Sequence, residues 1–259
     1  MPLKAVRQRR LYHQIAEQLY ELIASGELKR ESRLPGELEL ARDLGVSRPS
    51  VREALIVLET AGIIEVVNGA GSFVRPDAAI VRHLPWTIAD DGPGPLEQFR
   101  ARFILEPELA AEAALLIGES ELDQLERILE RIKAEIAAEA KVSSAHFEFH
   151  ERIAFASGNS ILANVVHDLL WRNRTEDVWR TVRTRVDTSE NLEKGVAFRT
   201  ALIEKLRGRD AEAARSLMKR QLSRIGEIYF GPDFKAVDAP KGGGSTDRKT
   251  KNNTDSSAA

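Results

Sequence analysis

The chain has no cysteine, only 6% aromatic residues and no run of about 18 apolar residues, and each shortage removes a class of protein. Without thiols there is no disulfide, thiolate metal site or cysteine nucleophile, which agrees with a reducing compartment. Without a long apolar run there is no candidate membrane-spanning helix, and the opening MPLKAVRQRRLYHQ lacks the apolar stretch of a secretory signal. A soluble, cytoplasmic protein is the expectation. No Gly-rich phosphate loop and no nucleophile with a partner base is found, which argues against an enzyme. A strong charge is missing too. The net charge is -2, and residues 1–75 hold 11 Lys/Arg against 10 Asp/Glu. Any contact with a polyanion must therefore come from a few placed side chains and not from a basic field.

What is present is mostly helix. At 259 residues and 42% hydrophobic content the chain can bury one large core or two modest ones. Ala, Leu, Glu and Arg abound, with apolar residues three and four apart over most of the length. IIEVVNGAGSFV, residues 63–74, is the exception: β-branched runs flank Asn68-Gly69-Ala70-Gly71, the mark of a small hairpin. Four prolines and DDGPGP make 76–95 a connector. Amphipathic patterns then run over about 96–117, 120–140, 142–157, 160–182, 189–208 and 210–229, which predicts an all-helical antiparallel bundle of about six helices. The division is thus residues 1–75, a linker over 76–95, a helical domain over 96–232, and a disordered tail over 233–259 rich in Gly, Ser, Thr and charge.

In the first part, a helix from about Tyr12 to Ser25 stops at Gly26, and a short one spans about Glu37 to Leu44 before Gly45. Ser47 is placed to cap a third helix, with Pro49 in its first turn, where a missing N–H costs nothing. On this third helix, which begins within LGVSRPSVREAL, the residues Val51, Ala54, Leu55, Leu58 and Ala61 form a buried stripe, while Arg48, Arg52 and Glu59 lie on another side. Two arginines in the first turns can grip guanine or clamp phosphate; alone they would more simply be solvated, with Arg52 paired to a nearby Glu. Helix, turn, helix and hairpin together favour DNA.

The stretch RLPGELELARDLGVSRPSVREALIVLETAGIIEVVNGAGSFV resembles the winged helix-turn-helix of the GntR family of bacterial transcription factors. The resemblance implies that Ser47, Arg48, Ser50 and Arg52 contact operator DNA, that Asn68 and Gly69 at the wing tip approach the minor groove, and that Arg33 touches a phosphate. One departure stands out: Leu38 follows Glu37 where the family usually has Arg.

The helical half resembles the FadR-type, or FCD, effector domain of that family. Arg102 with Glu106 in RFILEPELAAEAA, HFEFHERIAFASGN, and ALIEKLRGRDAEAARSLMKRQL carry this likeness. LLWRNRTEDVW and IGEIYFGPDF resemble hexuronate-pathway regulators of the UxuR and ExuR kind. Many such domains hold a divalent metal with one Asp and three His. Here those positions fall on His146, His150, Arg199 and Gln221, and arginine cannot ligate. The implied pocket is metal-free and takes an anionic effector, with Arg199 standing in for the cation, Arg102 as a second positive group, and His146, His150 and Gln221 bonding hydroxyls. An exposed i,i+4 pair is the plainer reading of Arg102 and Glu106. His167, the other nearby histidine, reads as surface or core. Trp171, Trp179, Phe147, Phe149 and Phe155 read as core before sugar-stacking platform; the run of Arg172, Arg174, Arg180, Arg183 and Arg185 could serve ligand, DNA or dimer contacts, and most of it reads as solvated surface.

Together these readings predict a homodimeric, ligand-responsive repressor that reads a pseudo-palindromic double-stranded operator and answers to a sugar acid, with no cofactor. Another small carboxylate, such as lactate, a dicarboxylate or a fatty-acid derivative, is the alternative effector. The rival from another class is an all-helical metal enzyme using His146, His150 and Glu106, and a third reading is an architectural DNA-binding protein without a ligand.

Overall fold

The computed structural model describes residues 10–67, 69–78, 93–138, 144–232 and 234. Asn68, most of the 76–95 connector and nearly all of the 233–259 tail lie outside the described residues.

Helix α1 (Leu11–Ser25) is followed by α2 (Glu37–Leu44), α3 (Arg48–Thr60), β1 (Ile64–Val67) and β2 (Gly71–Val74). The turn between α2 and α3 works as the sequence predicts: Gly45 adopts φ 66°, and the Ser50 backbone N–H donates to Ser47 Oγ at 3.3 Å. The strands pair antiparallel with Ile64 opposite Val74 and Val67 opposite Gly71, and Arg33 adds an isolated bridge to Phe73. Alternate sides of α1 and α3 close a core with Ile15, Leu19, Ile23, Val51, Leu55 and Leu58, covered by Leu34, Ile64 and Val74.

Seven further helices follow: α4 (Pro95–Leu116), α5 (Glu119–Ala137), α6 (Ala145–Ala156), α7 (Ser160–Thr175), α8 (Asp177–Arg183), α9 (Ser189–Arg207) and α10 (Ala211–Phe230). Among the described residues this is one more than the expectation of about six, because the pattern read as one helix over 160–182 is two. Glu176 takes an extended backbone, φ -76° and ψ 136°, with its carboxylate held by Gln98 Nε2 at 3.0 Å. The break turns Trp179 into the main core, where its indole N–H donates to Gln98 Oε1 at 3.0 Å. Nothing in the local sequence is a helix breaker; tertiary contacts override a continuous period.

Helices α4 and α10 form the spine of this half, sharing Phe99, Leu222, Tyr229 and Phe230 with α5, α6 and α9 around one apolar core. Phe149 and Trp179 are buried as expected, but Trp171 and Phe155 are exposed, contrary to the core reading. No described helix is long and apolar enough to cross a membrane.

Helix α3 touches both halves. Ile56 is buried in the core of the helical half, not that of its own unit. On the same side, Glu53 accepts a hydrogen bond from the Leu96 backbone N–H at 2.9 Å, capping α4. Further along, Arg185 Nη2 donates to Glu59 Oε2 at 2.7 Å and Thr60 Oγ1 to Thr181 Oγ1 at 3.0 Å. Gly231, with φ 84°, packs so closely that a Cβ there would overlap the Arg52 guanidinium.

Candidate DNA-reading face and effector cavity

At the front of α3, Ser47 is exposed and its hydroxyl lies 2.8 Å from that of Ser50, so both sit at the open end of the helix. Arg48 begins the first turn. Arg52 is placed differently: its Nε donates to Glu37 Oε1 at 2.7 Å and Nη2 pairs with the other Glu37 oxygen. Glu37, at the start of α2, was not singled out in the sequence, although the pairing of Arg52 to some Glu was the plainer alternative there. Leu38 is 68% exposed, so the residue that departs from the family pattern stands on the surface beside this pair. Gly69 lies at the hairpin tip with φ 76°, and the Arg33 side chain lies along Gly71, where β2 leaves the turn.

Behind this face sits an unusual carboxyl group. Glu53 is 6% exposed, and burial pushes its pKa up from 4.5 to about 7; the Leu96 N–H partly offsets this, and nearby Glu97 adds to it.

The second site is a cavity of about 110 Å³ within the helical half. Arg102 and Phe99 from α4, His146, Phe147 and His150 from α6, Gly195 and Arg199 from α9, and Gln221, Arg224 and Tyr229 from α10 line it. All five residues anticipated for the effector thus meet around one space. The chain also contributes Asn173, Asp187 and Asn191, which sequence reasoning missed, and Arg183, from the arginine run whose alternatives to solvated surface include a ligand contact. The Arg183 guanidinium donates to the Asn173 carbonyl and lies over the Phe147 ring, 5.8 Å from the centroid. Arg185 likewise is not solvated surface but a tie between the two halves.

Arg102 and Glu106 are not an exposed pair. Glu106 is 2% exposed; Arg102 Nε donates to its Oε1 at 2.5 Å and His150 Nδ1 to its Oε2 at 2.6 Å. Burial alone would raise the Glu106 pKa, but Arg102 and then His150 more than offset it and hold it at about 2. For His150, burial outweighs the pull of Glu106 and lowers the pKa. A carboxylate can only accept, so His150 carries its proton on Nδ1 and keeps Nε2 as an acceptor.

Arg199 is the central cation. It is 4% exposed, Nη1 donates to the Gly195 carbonyl at 2.9 Å, and Nη2 donates to His146 Nδ1 at 3.2 Å. Its buried Nε has no hydrogen-bond partner, and among the described residues no carboxylate forms an ion pair with it. Burial first, then Arg224, lowers its pKa to about 10, so it stays charged at neutral pH. His146 is pushed down to about 3, chiefly by burial and then by Arg199, and is neutral.

These groups do not fit the divalent metal that the FCD likeness implies. His146 and His150 share a face of α6, but the guanidinium of Arg199 contacts His146 and brings a fixed charge to the place of a ligand. Among the described residues no group of three or more His, Cys, Asp or Glu could hold a metal ion. His167 does not line the cavity; its Nδ1 lies 2.8 Å from Glu151 Oε1.

Comparison with known proteins agrees with this division of labour. Residues 11–74 match the model described as bacterial regulatory proteins, gntR family, and residues 97–224 match the FCD domain. The Uxu operon transcriptional regulator of Escherichia coli (strain K12) is 29% identical over 239 residues, covering 87% of this chain and 93% of that one. The Exu regulon transcriptional regulator of the same strain is 30% identical over 228 residues, covering 86% and 85%. The putative L-lactate dehydrogenase operon regulatory protein of that strain is 30% identical over 229 residues, covering 84% and 85%. The chain therefore belongs to the GntR family of bacterial regulatory proteins, in the branch with an FCD domain, and is a transcriptional regulator and not an enzyme.

Proposed function

We propose that this protein is a homodimeric, cytoplasmic repressor of a sugar-acid catabolic operon, whose helical cavity takes a sugar acid, a hexuronate or an aldonate. The observation that carries the effector class is Arg199: a charged, 4% exposed guanidinium with no carboxylate partner among the described residues, lining a cavity. Leaving a guanidinium buried without a counter-charge costs several kcal/mol, and an anionic ligand relieves that cost. Around it, His150 Nε2, Asn191 and Gln221 supply groups that suit hydroxyls. The names of the Uxu and Exu relatives support the same class. The lactate-operon relative favours a second reading, a smaller carboxylate in the same place. Calorimetric titration with glucuronate, galacturonate, fructuronate, mannonate and L-lactate separates them: heat only from lactate selects the second reading, and no heat from any sugar acid dismisses the first.

On the DNA side, Ser47, Arg48, Ser50 and Arg52 are assigned to the major groove, Asn68 and Gly69 to the minor groove and Arg33 to a phosphate. One winged module offers too few contacts for tight specific binding, so two copies on a two-fold axis read a pseudo-palindrome. Coupling runs through the rear of α3. Arg183, Val186 and Asp187 line the cavity, while Arg185 among them holds Glu59 of α3. A ligand that moves this segment changes how α3 is seated, and effector and operator affinities are then reciprocally linked.

A further inference from the structure

The two ends of the cavity differ in charge. At the inner end, buried Arg199 of α9 donates only to the neutral Gly195 carbonyl and His146, while half-buried Arg224 of α10, which also lines the cavity, donates to Asn191 Oδ1 at 2.7 Å and Gln221 Oε1 at 3.3 Å. Neither forms an ion pair with a carboxylate among the described residues. The other end is built differently. Asp187, just beyond α8, is the one exposed member of the lining and so stands at the mouth. Its carboxylate makes no hydrogen bond with any described residue, and burial raises its pKa while Arg183 partly offsets this. Arg183, whose charge acts on Asp187, donates to the carbonyl of Asn173, which is 2% exposed and whose Nδ2 has no partner.

A group that both donates and accepts answers the outer end: it donates to Asp187 and accepts from Asn173 Nδ2 or Arg183. A second carboxylate can only accept, and its charge would face the like charge of Asp187 at the mouth. We infer that the ligand lies in one orientation, with its single anionic group on Arg199 and Arg224 and a hydroxyl- or carbonyl-bearing end beside Asp187, so that Asp187 selects monocarboxylates against dicarboxylates. This rests on the cavity being the effector site, but not on the ligand being a sugar.

The test is calorimetry on the full chain and on Asp187→Asn with two matched pairs, glucuronate with glucarate and L-lactate with tartronate. The parent protein is expected to bind the monocarboxylate of a pair on the order of tenfold tighter than the dicarboxylate. In Asp187→Asn the dicarboxylate tightens to within about threefold of its partner. Because the carboxylate makes no hydrogen bond in the fold, the variant should also melt as the parent does. Equal affinities in the parent, or an unchanged ratio in the variant, would overturn the inference. Binding of lactate over tartronate with no sugar acid bound upholds the role of Asp187 and rejects the sugar-acid reading. No binding of any of the four overturns both.

Discussion

Replacing Glu53 by Gln tests how α3 is seated on the helical half. The wild-type carboxyl has a pKa near 7 in the fold against 4.5 as its ordinary value. A raised folded-state pKa means that the native state holds the proton more tightly than the unfolded chain. The contribution is fully present below about pH 4.5 and is lost as pH rises through 7. At about 1.4 kcal/mol per unit, the full shift corresponds to roughly 3 kcal/mol, of which about 2 to 3 kcal/mol falls between pH 5 and pH 8. The group is buried, so solvent screening takes little of this. Glutamine keeps an oxygen for the Leu96 N–H and has no proton to lose. Urea unfolding of both proteins at several pH values should show the parent losing about 2 kcal/mol more than the variant across that window. Parallel pH profiles would refute the claim that Glu53 is a buried, proton-binding cap of α4.

Other outcomes follow from the same geometry. Arg199→Gln removes the central cation, and effector binding measured by calorimetry should weaken on the order of 10- to 100-fold, the worth of a charged hydrogen bond. Glu106→Gln leaves Arg102 without its buried counter-charge and should lower unfolding free energy by about 3 kcal/mol or more, read by urea denaturation. Arg48→Ala should cost about 1 to 3 kcal/mol in operator binding by fluorescence anisotropy with the fold unchanged by circular dichroism. Arg185→Gln should leave effector affinity nearly intact but shrink the change that effector makes in operator affinity.

The turn between α2 and α3 was legible because its chemistry is local: Gly45, Ser47 and Pro49 each have a conformational reason to stand where they do. The cavity residues Arg102, His146, His150, Arg199 and Gln221 were legible through a family pattern, not through spacing, since four helices bring them together. Asp187 escaped notice and Arg183 read first as solvated surface because an arginine on a short helix and an aspartate after it look like solvent-facing residues until α7 breaks at Glu176 and turns them inward. Glu53 was silent for a similar reason. A carboxylate in a helix interior normally points to water, and only the arrival of the α4 N-terminus gives it a buried partner. Glu37 shows the converse: a residue valued in the sequence for its neighbour Leu38 proved to be the partner of Arg52.

Anion binding in the cavity and DNA reading by α3 form one linked equilibrium in this proposal, and titrating the protein into labelled DNA from the region flanking its own gene, with and without saturating glucuronate or fructuronate, measures that link. Operator affinities should differ by at least about fivefold between the two conditions, with Arg199→Gln insensitive to the sugar acid. Superimposable binding curves in the presence of a sugar acid that calorimetry shows to be bound would contradict that link.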